Sequence, residues 1–259
     1  MAPTPQTGRT FGHQFKRIVI NMKTLAFIAL AAGCVLVSGC VFVRVKDAGN
    51  KGNNGKRIVG NGIITEKIFE VADFSAVMLD VPADVDYTVS DTPSLRVRVD
   101  ENLLEYLTVS VEDGMLRIGS VNRQLRNFKK LEIEMSSSSL EFLKCNGAVD
   151  FVSDGRISGE TFVLEVNGAA DVELPGLDVR TADFKVNGAG DIEVGLANAE
   201  SVSLNISGAG DAKISGKTES VSIQINGTGD VDLTQLDYDR LDKSINGMGS
   251  VKTPRKSTL

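Results

Sequence analysis

From Gly60 onward, apolar residues fall at every second place in short runs. Val202-Ser203-Leu204-Asn205-Ile206 is one such run and Asp191-Ile192-Glu193-Val194 is another. A period of two puts one side of each run in a core and marks it as a β-strand. In the second half of the chain the runs flank a recurring phrase. It reads NGAVD from Asn146, NGAAD from Asn167, NGAGD from Asn187, SGAGD from Ser207, NGTGD from Asn226 and NGMGS from Asn246. Successive copies begin 21, 20, 20, 19 and 20 residues apart. Glycine admits positive φ and Asn or Ser bonds the local backbone, so the phrase is a sharp turn. Two strands and two turns per repeat make one coil.

A coil of this size cannot bury its apolar side alone, whereas equivalent coils stacked about 4.8 Å apart share a continuous core. The pattern therefore predicts an all-β fold, a parallel β-helix (β-solenoid) with coils of about 20 residues over 136–252. A propeller blade needs roughly 40 to 45 residues, and a sandwich keeps no fixed period. Two columns must point inward. One comprises Cys145, Val166, Val186, Ile206, Ile225 and Ile245, and the other Phe151, Val172, Ile192, Ala212, Val231 and Val251. Cys145 is thus a core residue rather than a nucleophile. Between the columns stand Asn146, Asn167, Asn187, Ser207, Asn226 and Asn246, whose side chains can bond along the stack as amide ladders do.

Asp150, Asp171, Asp191, Asp211 and Asp230 form one outward column, and Glu173, Glu193 and Asp232 form the next, with Lys213 as its exception. Like charges at strand spacing repel, so donors or a cation must offset them. Two assignments fit. Each Asp accepts amide protons of its own turn as an Asx cap, or neighbouring coils hold Ca²⁺ weakly through carboxylates and carbonyls. No other cofactor is implied.

The segment 58–135 has strand composition without the short period. Asp113-Gly114, between two alternating runs, predicts a hairpin. A solenoid end exposes core and strand edges, so this N-terminal region is expected to form irregular coils and a cap. After the last coil, 253–259 is a tail in which Pro254 and two cations oppose continued pairing. That argues against open polymerisation at this end and leaves a closed dimer open.

The first 39 residues read as a targeting segment, with Arg9, Lys16, Arg17 and Lys23 preceding an apolar run from Leu25 to Val37. Met22-Lys23 could itself begin such a signal, so Met1 and Met22 both stand as starts. The run is shorter than the roughly 20 residues of a spanning helix. It ends in Val37-Ser38-Gly39-Cys40, which resembles a bacterial lipobox. That resemblance implies cleavage before Cys40, acylation of Cys40 and a membrane anchor. Val41 in place of Asp favours the outer membrane in a Gram-negative host. Residues 40–57, rich in Gly, Asn and Lys, then form a flexible tether.

Loss of the leader changes the available chemistry. It removes His13, the one histidine, and with it every Ser-His, Cys-His and His-metal arrangement. It also takes 4 of the 28 basic residues and none of the 34 acidic ones, moving the net charge from −6 to −10. A nucleic-acid partner is excluded on that balance. With 5 % aromatic residues, the core is built of Val, Ile and Leu.

Three stretches together resemble the head GIN domain family, labelled "putative auto-transporter adhesin". They are FEVADFSAVMLDVPADVDYTVSD from Phe69, VRVDENLLEYLTVSVEDGMLRI from Val97, and LEIEMSSSSLEFLKCNGAVDF from Leu131, followed by the NGAGD-type coils. The resemblance implies a right-handed β-helix in an envelope lipoprotein or secreted protein, and carries no catalytic residue set. The expected function is a non-catalytic envelope lipoprotein, adhesin-like, binding a polysaccharide or surface component. The alternatives are a polysaccharide-active β-helix enzyme and a structural envelope protein. Catalysis would need two carboxyls in unlike environments within a cleft, and the even coil length leaves no insertion to wall one. Arg123 to Lys130 carries several cations and reads as a solvated loop, with anionic lipid or acidic glycan as its other use.

Overall fold

The computed structural model describes residues 58–121, the backbone of 125–126, and residues 131–254. The leader, Cys40, the tether, the rest of the basic segment 123–130 and the tail from Arg255 lie outside the described residues. The chain is nearly all strand and forms a β-solenoid of about 6 turns. Every neighbouring pair of coils is parallel, and the strands flanking the repeated corner are in register. Among the described residues no helix is long and apolar enough to cross a membrane.

The predicted columns are register columns of the sheet. Cys145 pairs with Val166, Val166 with Val186, Val186 with Ile206, Ile206 with Ile225 and Ile225 with Ile245. Phe151, Val172, Ile192, Ala212, Val231 and Val251 follow one another in the same way. Both columns join one continuous hydrophobic core. Cys145 is fully buried and free, and burial alone pushes its thiol up to about 12. Only the last coil departs from this, with Ile245 40 % exposed.

The second bend is a turn at Gly155-Arg156 and at Thr234-Gln235, as expected, but in the coils between them it is not. Strands such as Ala169–Val186 and Ile192–Ile206 run through it without interruption. Their pairing shifts register between Leu174 and Leu177 and again between Leu177 and Thr181. The ladder between these two strands is thus split into three short pieces, and the next, between Ile192–Ile206 and Ala212–Ile225, into two, by irregularities within the strand. Bulges bend a strand without requiring turn residues, which is why no phrase marks them.

A further coil stands ahead of Asn146 without a sequence period to announce it. Ala76–Leu79 pairs with Phe142–Cys145, and Ala83–Val89 pairs with Ala148–Asp154. Met115–Ser120 and Glu132–Ser137 then stack outside that coil. Chain order and stacking order are thus inverted at this end.

The inversion lets antiparallel strands close the stack. Ser94–Asp100 lies antiparallel to Glu132–Ser137, Ile64–Phe69 to Ser94–Asp100, and Leu107–Glu112 to Met115–Ser120. The last pair turns at Asp113 and Gly114, with φ of 50° and 73°, as a two-residue hairpin requires. The 3-10 helix Glu101–Tyr106 adds a fully buried Leu103. Beside it the fully buried Asp100 carboxylate accepts the Gly62 N–H at 2.5 Å, which ties the entering chain to the cap.

The glycine corners set the coil spacing. A Cβ on Gly188 would overlap the carbonyl oxygen of Gly168, and one on Gly208 that of Gly188. Since backbone occupies the space, no rotamer change relieves the clash. Gly188→Ala is expected to destabilise the fold by about 3 kcal/mol or more, read by denaturant unfolding. Gly159→Ala, with open space at its Cβ, is the neutral control.

Candidate functional site

The turn residues form a hydrogen-bonded ladder. Asn187 Nδ2 donates to Asn167 Oδ1 at 3.0 Å, Asn167 to Asn146 at 2.9 Å, and Asn246 to Asn226 at 3.2 Å. Asn146 in turn donates to Asp80 Oδ1 at 2.6 Å, so an acceptor from the irregular coil ahead of it supplies the first rung. Ser207 is too short to bridge and instead donates to Asn205 Oδ1 at 3.0 Å. Asn205 contacts Gln224 at 3.4 Å and Gln224 contacts Asn226 at 3.5 Å, which carries the connection around the gap.

The Asp column has a different partner from the expected one. Asp171 Oδ1 accepts the backbone N–H of Asp191 at 3.1 Å, Asp191 that of Asp211 at 2.9 Å, and Asp211 that of Asp230 at 2.7 Å. The donor therefore belongs to the following coil, not to the residue's own turn. Asp230 accepts both the N–H and the hydroxyl of Ser250, at 2.8 and 2.9 Å. Those bonds, the hydroxyl's foremost, hold the Asp230 carboxyl below its ordinary range. Asp150 pairs in register with Asp171 and with Asp84 of the extra coil.

Glu173, Glu193, Lys213, Asp232 and Lys252 make the neighbouring column. Lys213 bridges to Glu193 at 2.7 Å, and that hydrogen bond raises its pKa. Asp232 makes a local Asx turn, accepting the Thr234 N–H at 2.8 Å, and its pKa is lowered chiefly by hydrogen bonding to Thr234. The two columns line a shallow strip of about 410 Å³. Among the described residues no group of three or more His, Cys, Asp or Glu side chains comes together to hold a metal ion. The strip sets Asp carboxylates already bonded to amides beside a column that includes the ammonium groups of Lys213 and Lys252, which is a poor donor set for Ca²⁺.

On the strand before the corner, the outward residues of two adjacent coils are small and polar. Ser201, Ser203 and Asn205 stand in register with Ser220, Ser222 and Gln224. Ser203 and Ser222 are exposed, and a groove of about 680 Å³ runs along this face to Arg240 and Asp242. Earlier coils carry charge here instead: Lys144 bridges Glu165 at 2.8 Å. The serine pavement has a sequence signal, a Ser four residues before Ser207 and another four before Asn226, which charge columns and turn chemistry do not bring out.

The Asp ladder makes a testable claim about pH and ions. Asp191→Ala, which leaves the Asp211 amide without its acceptor, is expected to cost about 1 kcal/mol, and Asp191→Asn far less because the amide oxygen still accepts. Since the Asp230 pKa is depressed in the folded state, its contribution is present above the ordinary value of 3.8 and is lost as pH falls below it. Melting temperature followed by circular dichroism should therefore drop more steeply on acidification in the parent than in Asp230→Asn, with no response to EDTA or millimolar Ca²⁺.

Known proteins share this architecture. A putative adhesin from Parabacteroides distasonis is 22 % identical, with a TM-score of 0.62 over 76 % of this chain and 100 % of that one. A putative adhesin from Bacteroides fragilis is 18 % identical, with a TM-score of 0.57 over 76 % and 99 %. A putative lipid binding protein from Parabacteroides distasonis, 22 % identical, superposes with a TM-score of 0.54 over 76 % and 99 %. No curated protein matches the sequence. The family described as "Putative auto-transporter adhesin, head GIN domain" matches residues 73–258, which takes in the inverted coils, every copy of the corner phrase and the cap strands other than Ile64–Phe69. The chain belongs to the head GIN domain family.

Proposed function

We propose that this chain is a non-catalytic, lipid-anchored envelope protein that binds a polysaccharide through the serine-paved face of its solenoid. The observation that carries the reading is the register of Ser203 with Ser222 and of Asn205 with Gln224. Hydroxyl and amide groups repeat there at strand spacing, about 4.8 Å, on a rigid parallel sheet. A polymer of polyhydroxylated units can meet such a row with the same contacts again and again. The family description and two of the neighbours name adhesion, while the third names lipid binding.

The carboxylates support a binding role rather than a hydrolytic one. A general acid at neutral pH needs a raised carboxyl pKa, whereas Asp73, Asp230 and Asp232 are all shifted down by hydrogen bonds. The Asp column serves as acceptors for the next coil. The anchor rests on the lipobox-like Val37-Ser38-Gly39-Cys40.

Binding of the full chain in detergent to a panel of immobilised polysaccharides tests the face. At least one should be retained, and Ser203→Arg with Ser222→Arg should weaken its binding at least tenfold while leaving the melting temperature unchanged. Retention of none, or equal retention by the double variant, would sink the reading. For the anchor, Cys40→Ser should move the protein from the membrane fraction to the soluble one and abolish incorporation of a labelled fatty acid. An unchanged distribution would remove lipidation from the account.

A further inference from the structure

A stack of parallel strands ends in a row of unpaired backbone groups, and here that row belongs to the strand Leu236–Ile245. It pairs with Ala212–Ile225 on one side and, among the described residues, with nothing on the other. Its core-facing residues are poorly covered: Leu241 and Tyr238 are half-buried against the core and Ile245 is 40 % exposed. Lys243 occupies the inward place that Leu204 and Ile223 hold in the two preceding coils.

Several charges of the preceding coils are paired within the stack. Lys144 pairs with Glu165, Lys213 with Glu193, and Arg180 with both Glu160 and Glu200. Asp239, Arg240, Asp242 and Lys243 form no ion pair among the described residues. Yet the sequence Asp239-Arg240-Leu241-Asp242-Lys243 is self-complementary when read against its own reverse. Asp meets Lys, Arg meets Asp, and Leu meets Leu.

We propose that a second copy of this chain pairs with the free edge, antiparallel, with Leu241 opposite Leu241 of the partner subunit on a two-fold axis. The backbone permits that register. Asn246 N–H donates to Ile225 O, toward the stack, and the ladder is unbroken from Arg240 to Ile245, so by alternation Leu241, Lys243 and Ile245 direct their N–H and C=O groups to the free edge. Centred on Leu241, the two copies of that residue face one another as a hydrogen-bonded pair. Arg240 then meets the partner's Asp242 on the outer face, and Lys243 meets the partner's Asp239. A shift of the axis by one residue would set Arg240 or Asp242 against its own copy, so charge fixes the register. A two-fold pairing of this kind is closed and consumes the edge that made it, giving a dimer and not a filament. It requires nothing of the polysaccharide reading.

An inward lysine on an edge strand also has a known opposite use, which is to block pairing. Cross-linking separates the two. Hydrogen-bonded antiparallel partners have Cα atoms about 5.5 Å apart, within disulfide range. The full chain carrying Leu241→Cys, oxidised and run on non-reducing gels beside the parent, should form a covalent dimer. Arg240→Asp in that background should cut the dimer yield at least tenfold, and adding Asp242→Arg should restore it. Melting curves confirm that each variant is folded. Monomer under conditions that oxidise an exposed control such as Ser203→Cys, or a dimer indifferent to the charge reversals, overturns the proposal.

Discussion

At each repeated corner, the carbonyl oxygen of one glycine fills the space that a side chain would need on the glycine of the following coil. That close approach lets successive turns stack at strand distance, and the remaining features depend on it. If the corners were held apart, the in-register ladders on either side could not close, and the apolar columns would not touch across coils. The glycines are therefore required by their neighbours along the stack as much as by their own conformation. Substitution at one level is felt at the adjoining level.

Stacking at this distance would align identical carboxylates, and the fold resolves the conflict by giving each a donor. In the stretch from Asp171 to Ser250, a side-chain oxygen of one coil takes the backbone N–H of the next. The Asn bonds run the same way, with the donor on the later coil and the acceptor on the earlier one. This shared polarity accounts for the exceptions at the two ends. The first rung needs only an acceptor, which Asp80 provides, and among the described residues no coil follows the last one, so Ser250 can stand where the others have Asp.

Much of this was legible in the chain because corner, inward column and outward column repeat at a nearly fixed interval. Cys145 could be placed in the core from its column alone. Irregular coils were expected within 58–135, but residues 76–89 could not be aligned with the repeats since Asp80 lies 66 residues before Asn146, with most of the cap inserted between them. Its phrase, Asp80-Val81-Pro82-Ala83-Asp84, keeps the acid in the fifth place but neither the Asn nor the Gly. In the middle coils the second bend is a register shift inside a strand, which leaves no compositional mark. The Asp donors were hidden because a sequence shows which groups recur but not which coil supplies a proton.

The common direction of the side-chain bonds has a consequence for the length of the molecule. A coil inserted among the regular repeats would present donors to the coil before it and acceptors to the coil after it, as its neighbours do. Duplication of about 20 residues would thus extend the rod by one strand spacing, about 4.8 Å, without a compensating change at either terminus. The architecture works as an adjustable ruler, whose reach is set by copy number while the cap and the final edge stay the same.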